Sequence, residues 1–160
     1  MKQDTASAGR FPNLAIDEQL CFALCRAARA ITRAYAQRLA PLGLTYPQYL
    51  VMLALWEEQP MAAGKIAERI CLDPSSLTPL LKRLESNGLV TRHRPADNQR
   101  KLLVGLTQAG RDLQARTADV QHSVAAVTGL DVGELAAMRD DLHALADQLL
   151  DADRQDSAAA

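Results

Sequence analysis

The sequence lacks the features that mark several large classes of protein. It contains no run of roughly eighteen apolar residues, so neither a membrane-spanning helix nor a membrane partner is expected. Residues 1–13 lack the apolar segment of a secretory signal, which favours a cytoplasmic location. The three cysteines and three histidines have spacings that match no closed zinc site. We therefore expect neither a metal nor another cofactor.

A strong charge of one sign is also missing. The 18 Lys and Arg residues are nearly balanced by 19 Asp and Glu residues, which gives a formal net charge of −1. A nucleic-acid-binding protein with this balance must concentrate its cations locally. The 160 residues suffice for one substantial core but not for two ordinary domains. We expect one compact domain with helical extensions, and polar tails without regular structure over residues 1–13 and 151–160.

The first periodic segment predicts a long amphipathic helix. Apolar residues recur every three or four positions between Ile16 and Tyr35, and the pattern ends near Pro41 and Gly43. The apolar face of this helix is wider than one small domain needs. We therefore assign residues 14–44 to a dimerisation helix.

Two more helices are predicted in the last third of the chain. Thr107 can cap the first of them, which ends at Gly129. Asp131 and Glu134 form the capping-box pattern of the second. The apolar seams of these two helices, over residues 108–150, have no obvious partner within so small a domain. We expect them to complete the interface of a homodimer.

Residues 45–107 have the pattern of a winged helix–turn–helix lobe. Thr45 and Gln48 match the capping box of a second helix. A short third helix precedes Asp73 and Pro74, which supply a cap and a first helical residue for the fourth. Two helices separated by a turn of this length are typical of a helix–turn–helix motif. The predicted fold class is mainly α with a small β wing.

The helix that starts at Pro74 is the candidate recognition helix. Small polar side chains at its N-terminal end can approach base edges in the major groove, and neighbouring cations can hold phosphates. Pro79 removes a helical hydrogen bond, which predicts a bend or a loosened first turn. The predicted buried stripe is Leu77, Leu80, Leu81 and Leu84, and the predicted DNA-facing set is Ser75, Ser76, Thr78, Lys82 and Arg83.

Two extended segments, Val90–Arg94 and Leu102–Leu106, predict a hairpin that would form the wing. A guanidinium at a hairpin tip can enter the narrow minor groove of DNA, and Arg94 and Arg100 are best placed to do so. The alternative is that the cations form only a solvated face. Their position directly after a helix–turn–helix favours double-stranded DNA as the partner. The wing cations are Arg92, His93, Arg94, Arg100 and Lys101.

The chain from about Ile16 to Leu150 resembles the MarR family of transcription regulators. The stretches LCFAL at 20–24, GLTYPQYLVMLALWE at 43–57 and LDPSSLTPLLKRLESNGLV at 72–90 are similar to its organic hydroperoxide regulators, OhrR. The resemblance implies a homodimeric repressor of palindromic operator DNA that is released when Cys21 reacts with an organic hydroperoxide. It also implies that Tyr35 and Tyr46 hydrogen-bond the Cys21 thiolate.

Two departures from the family pattern change what the resemblance implies. Many members carry a second cysteine on the penultimate helix, which pairs with the sensor cysteine across the dimer. This chain has no cysteine in the corresponding region, residues 123–126. Family wings usually read Asp-x-Arg before the second strand, whereas Asn98 stands two residues before Arg100 here. Arg100 therefore lacks the usual orienting carboxylate.

The chemistry expected of Cys21 can also be argued from the residues themselves. A thiol attacks a peroxide as the thiolate, which is favoured by a lowered pKa and by hydrogen-bond donors. Cys21 lies near the start of the first helix, where the helix dipole favours an anion. Tyr35 is about 21 Å further along a continuous helix, so it can reach only the Cys21 of another subunit. Without the resemblance, a core position is the alternative for Cys21.

An oxidised Cys21 would be a sulfenic acid, which awaits a second thiol. Cys25 lies one turn away, but in an intact helix the two Cβ atoms are about 5 to 6 Å apart, beyond disulfide range. Cys71 is expected to be a small core residue. A mixed disulfide between Cys21 and a low-molecular-weight thiol is favoured, and Cys25 or over-oxidation are the alternatives.

Two other functions fit parts of the pattern. A MarR-type repressor could instead be released by a lipophilic or phenolic ligand, bound between the dimerisation helices and the DNA-binding lobe. A thiol peroxidase is the alternative from another class, but the only cations near Cys21 in the first helix are Arg26 and Arg29. We therefore expect a regulator without catalytic residues rather than an enzyme.

Overall fold

The computed structural model describes residues 14–159. Within this range the order of elements confirms the predicted fold class, mainly α with a small β wing. The tail predicted for residues 1–13 lies outside the described residues. In chain order the α-helices and β-strands are α1 (Leu20–Leu39), α2 (Tyr46–Glu57), β1 (Met61–Ala62), α3 (Ala63–Arg69), α4 (Pro74–Ser86), β2 (Val90–His93), β3 (Leu103–Leu106), α5 (Gln108–Thr128) and α6 (Val132–Ala159).

The chain divides into two compact units, the first reaching Val120 and the second starting at Gln121. The first unit contains one apolar core, to which α2, α3, α4 and the strands all contribute. The second unit contains the end of α5, the turn at Gly129 and α6. The largest fully buried apolar side chains of the first unit are Leu39, Val51, Met52, Leu55, Met61, Ile66, Leu77, Leu81, Leu84, Val90 and Val104.

The wing belongs to a three-stranded antiparallel sheet in the order β1-β3-β2. In the outer pair Val90 lies opposite Leu106 and His93 lies opposite Leu103, which confirms the predicted hairpin. On the other side of β3, Met61 pairs with Val104. Strand β1 was not predicted, because two residues are too few to show the alternation that marks a strand.

Side-chain caps fix the ends of three helices as predicted. Thr45 and Gln48 form the capping box of α2. The Thr107 hydroxyl accepts a hydrogen bond from the Gly110 main-chain N–H at 3.0 Å in the first turn of α5. In α6, Asp131 Oδ1 accepts a hydrogen bond from the main-chain N–H of Glu134 at 2.8 Å, and the Glu134 carboxylate accepts one from the Asp131 N–H.

Helix α6 is longer than predicted. The prediction of a tail without regular structure from residue 151 is wrong, because the helix continues to Ala159. Residues 134–159 contain neither glycine nor proline, and Arg154 pairs with Asp151 one turn away at 2.9 Å. The segment after residue 150 is polar but still has good helix propensity, and the polar composition alone led to the wrong prediction. Among the described helices none has the length and apolar character needed to span a membrane.

Candidate DNA-binding surface and thiol site

Helix α4 presents the two faces that its sequence predicts. Leu77, Leu81 and Leu84 are buried, and Leu80 is half-buried. On the other face all five predicted DNA-facing side chains are exposed, namely Ser75, Ser76, Thr78, Lys82 and Arg83. The first turn of this face is therefore small and hydroxylated, and cations follow one turn later. This arrangement suits an approach to base edges flanked by phosphate contacts.

The N-terminus of α4 differs in one detail from the prediction. Pro74 is the first helical residue, as expected, but the Asp73 side chain makes no capping hydrogen bond. The main-chain N–H of Ser76 donates instead to the Asp73 carbonyl at 2.9 Å. The Thr78 hydroxyl donates to the Pro74 carbonyl at 3.1 Å. Helix α4 is continuous across Pro79, whose ring is exposed.

The tip of the wing is held by hydrogen bonds between neighbouring residues. Arg94 Nη1 donates to the Gln99 carbonyl at 2.8 Å. The Arg100 main-chain N–H donates to Asn98 Oδ1 at 3.2 Å, so Asn98 orders the backbone here. The exposed basic residues of the wing are His93, Arg94, Arg100 and Lys101. They form the second cationic part of the candidate surface, next to the exposed face of α4 in the same unit.

Arg92 differs from the other predicted DNA-binding cations of the wing. Its guanidinium Nε donates to Glu85 Oε2 at 2.8 Å, and its main-chain N–H donates to Glu85 Oε1 at 3.2 Å. The guanidinium hydrogen bonds of Arg92 hold the pKa of the Glu85 carboxyl below its usual range. The charge of Arg92 is therefore already paired inside the lobe.

The thiols are all exposed, but they occupy different surroundings. Cys21 is the second residue of α1, and Cys25 lies one turn further along. Tyr35 is in the same continuous helix, so the axial distance from Cys21 is about 21 Å and the two do not meet within one chain. The expectation that Cys71 is a core residue is wrong. Its side chain is exposed, and its backbone has φ 54° in the turn after α3.

Tyr35 lies instead in a cluster of tyrosines. Its ring centroid is 5.0 Å from that of Tyr46 and 5.8 Å from that of Tyr49. Burial raises the pKa of all three phenols above the ordinary value of 10.0. Each hydroxyl therefore keeps its proton at neutral pH and can donate a hydrogen bond to an anion. The two sensor tyrosines predicted by resemblance are thus brought together, whereas Cys21 is not.

Tyr49 was absent from the predicted site. It is 4% exposed and its ring approaches Trp56 with centroids 6.3 Å apart. Trp56 Nε1 in turn donates to the Gly110 carbonyl at 2.9 Å, which links α2 to the start of α5. One face of α2 carries Tyr46, Tyr49 and Trp56, because they are spaced three and seven residues apart. This spacing is the sequence feature from which the position of Tyr49 beside Tyr46 could have been predicted.

Known proteins are similar to this chain over most of its length. The MarR family model matches residues 44–102. The HTH-type transcriptional regulator TtmR of Methylorubrum extorquens strain PA1 is 44% identical over 152 residues, which are 91% of this chain and 78% of the relative. The organic hydroperoxide resistance transcriptional regulator of Bacillus subtilis strain 168 is 34% identical over 140 residues, 88% of this chain and 95% of the relative.

A solved structure of AbfR, a protein of Staphylococcus epidermidis, has a similar fold. Reduced AbfR bound to DNA superposes with a TM-score of 0.72 at 32% identity, covering 89% of this chain and 99% of AbfR. Overoxidised AbfR bound to DNA superposes with a TM-score of 0.71 at 31% identity, covering 88% of this chain and 99% of AbfR. The family match, the relatives and the fold agree, and this chain belongs to the MarR family of transcriptional regulators.

Proposed function

We propose that this protein is a homodimeric repressor that binds palindromic operator DNA and is released when an organic hydroperoxide oxidises Cys21. The observation that carries the sensor part is the pairing of Tyr35 with Tyr46, two protonated phenols with ring centroids 5.0 Å apart. These are the donors expected around a reacting thiolate. The similarity to the hydroperoxide resistance regulator of Bacillus subtilis supports the same oxidant class.

The DNA-binding part rests on the exposed face of α4 and on the wing. Small hydroxylated residues lie in the first turns of α4, and exposed cations flank them on α4 and on the wing. These groups supply base-edge contacts and phosphate contacts respectively. A homodimer would present two such surfaces to two half-sites, which is why a palindromic operator is expected. We assign the base-edge contacts to Ser75, Ser76 and Thr78, and the phosphate or groove contacts to Lys82, Arg83, Arg94, Arg100 and Lys101.

The dimer is needed to build the sensor. Cys21 cannot meet Tyr35 in its own chain, because both lie on one rigid helix about 21 Å apart. Large apolar side chains on α1 and α6 are exposed in the single chain, among them Leu20 at 62% and Leu149 at 60%. A second copy that covers these faces would also bring Tyr35 and Tyr46 to the partner's thiol.

The proposed reaction consumes one peroxide for each thiol. The Cys21 thiolate attacks one peroxide oxygen, the O–O bond breaks and the sulfur becomes a sulfenic acid. The other oxygen leaves as an alkoxide and takes up a proton from solvent to give the alcohol. A low-molecular-weight thiol then attacks the sulfenic sulfur and releases water, which leaves a mixed disulfide. The adduct adds bulk and removes the anion in the dimer interface, and the DNA-binding geometry of the two lobes changes with it.

The test compares Cys21→Ser with the unmodified protein on a duplex selected from a random pool. We expect cumene hydroperoxide to release the unmodified protein but to leave Cys21→Ser bound, since serine cannot form a sulfenic acid. Fluorescence anisotropy measures the release, and mass spectrometry of the same samples measures the adduct. Cys25→Ser and Cys71→Ser are matched controls that remove an exposed thiol elsewhere, and both are expected to respond normally.

Release of Cys21→Ser by the peroxide would contradict the thiol sensor. Release by a phenolic compound without any change in mass would favour the ligand-controlled repressor. Sustained peroxide turnover with a dithiol reductant would instead favour a peroxidase. Failure to select any duplex at moderate salt would exclude the DNA-binding function itself.

A further inference from the structure

We propose that Glu85 and Arg92 form a clamp that fixes the angle between the recognition helix and the wing. In this assignment Arg92 is a positioning residue that does not contact phosphate. The inference rests on the proposed DNA-binding function, and it divides the basic residues of the lobe into two classes. Arg94, Arg100 and Lys101 bring charge to the DNA, whereas Arg92 aligns the elements that carry such residues.

Three hydrogen bonds make up the clamp and use both oxygens of the Glu85 carboxylate. Oε2 accepts from Arg92 Nε at 2.8 Å and from Nη2 at 2.5 Å. Oε1 accepts from the Arg92 main-chain N–H at 3.2 Å. One contact is therefore made to the backbone of β2 itself, so the carboxylate holds the strand as well as the side chain. Hydrogen bonds between charged groups are stronger than those between neutral groups.

The clamp is also less exposed than the other ion pairs of the described residues. The Arg92 side chain is 21% exposed and that of Glu85 is 37% exposed. Lys65 and Glu58 are both 51% exposed, and Arg139 and Asp140 are more than 60% exposed. Partial burial reduces screening by salt, so this pair holds its geometry better than a typical surface pair.

The position of the clamp explains what it controls. Glu85 lies in the last turn of α4, and Arg92 lies in β2 opposite Val104. Between them the chain turns at Gly88, where φ is 71°. The clamp closes this turn on the outside, while Leu84 is buried on the inside. Rotation of the wing against α4 would break the three hydrogen bonds together.

Arg92 is poorly suited to bind a phosphate. To reach one it would have to leave Glu85, and the freed carboxylate would then face the negative charge of the DNA. As a pair, the two side chains add no net charge to the surface. Arg94 has no such restriction, since its guanidinium bond goes to the neutral Gln99 carbonyl and no carboxylate in the described chain forms an ion pair with it.

The test measures affinity for the selected duplex as a function of salt for Glu85→Gln, Arg92→Gln and the double variant. Each single change is expected to weaken binding about fivefold to tenfold, and the double variant should be no weaker than either single one. The slope of log affinity against log salt should stay unchanged. Arg94→Gln is the matched control, and it should reduce the magnitude of that slope by about 0.9.

The exchange Glu85→Arg with Arg92→Glu supplies a second readout. The exchange keeps the charge pair but loses the hydrogen bond from the main-chain N–H of residue 92, because a guanidinium cannot accept it. It should therefore restore part of the affinity if the pair acts by alignment, and thermal melting of each variant identifies loss of folding. Tighter binding by Glu85→Gln, a reduced salt slope for Arg92→Gln, or unchanged affinity in all variants would overturn the clamp. If the unmodified protein binds no duplex, the proposed function is refuted instead.

Discussion

At Gly110 the start of α5 lies close to the main chain of the turn that follows α4. A Cβ at this position would lie well inside contact distance of the Leu89 carbonyl oxygen and 3.3 Å from Leu106 Cδ2. The Gly110 carbonyl also accepts the hydrogen bond from Trp56 Nε1. The Thr107 hydroxyl donates to the Gly88 carbonyl at 2.6 Å beside it. This junction joins α2, α5 and the turn that leads into the wing.

Gly110→Ala is therefore expected to destabilise the protein. The added methyl group meets backbone rather than a flexible side chain, so α5 or the turn must shift, at a cost of about 1 to 3 kcal/mol. Urea unfolding measures the free energy. We also expect weaker DNA binding, because the shift moves the end of α4 relative to the wing.

Gly64→Ala is the matched control for this substitution. Gly64 lies in α3 with no heavy atom within 4 Å of the added Cβ. Alanine there should stabilise the protein by about 0.4 to 1 kcal/mol, chiefly by restricting the unfolded chain. Unchanged or increased stability of Gly110→Ala would contradict the close packing at the junction.

At this scale the sequence predicted residues whose role is local and missed those whose role depends on tertiary contacts. Thr45, Thr107 and Asp131 cap helices because their partners are three residues away. The exposure of Cys71 and the pairing of Arg92 depend on how the chain turns after α3 and α4. The sequence of a wing does not distinguish a basic residue that faces DNA from one that pairs with a carboxylate on a neighbouring helix.

Within α4, Pro79 is the position where the sequence opposes the helix. Pro79 has no N–H to donate to the Ser75 carbonyl, and yet the helix is continuous. The buried leucines of α4 stabilise it through tertiary packing, which overrides local preference. The effect of the proline falls on the turn that presents Ser75 and Ser76, the residues proposed to approach the bases.

Pro79→Ala should stabilise the protein by about 1 to 2 kcal/mol. The restored hydrogen bond and the removed ring clash outweigh the greater freedom of the unfolded chain, about 0.4 to 1 kcal/mol. Urea unfolding measures the change, and anisotropy measures whether a stiffer first turn alters DNA affinity. Pro74→Ala is the control, because a first-turn N–H needs no helical partner and little stabilisation is expected there. A loss of stability in Pro79→Ala would show that the ring makes a native contact of its own.

Whole elements were predictable where their periodicity extends over several turns. The helices α1, α2, α4 and α5 follow from apolar spacing and caps, and the wing strands from short extended segments between turn residues. Strand β1 is too short to have a period, and it forms because β3 offers an unpaired edge. The end of α6 has no apolar stripe to reveal it, and its helix is favoured by the alanine-rich composition.

For the molecule as a whole, the proposed sensor and the proposed DNA-binding surface differ in how many chains they need. The exposed face of α4 and the wing are complete within one chain. The proposed thiol site is not, because its cysteine and its tyrosines are separated along α1 by about 21 Å. Twofold symmetry would bring each Cys21 to the tyrosines of the other subunit and form two equivalent sites. Oxidation would then change the subunit interface directly.

Mixed dimers test this shared site. A dimer of one Cys21→Ser subunit with one Tyr35→Phe subunit retains one Cys21, and in a shared site that thiol still faces Tyr35 of the other chain. Its oxidation rate, followed by mass spectrometry, should match that of the unmodified protein, whereas the Tyr35→Phe homodimer should react about tenfold more slowly. The reciprocal dimer, with both changes on one chain, should react slowly because its Cys21 faces Phe at position 35. If the first mixed dimer reacted slowly and the reciprocal dimer reacted at the unmodified rate, each subunit would sense peroxide with its own Tyr35.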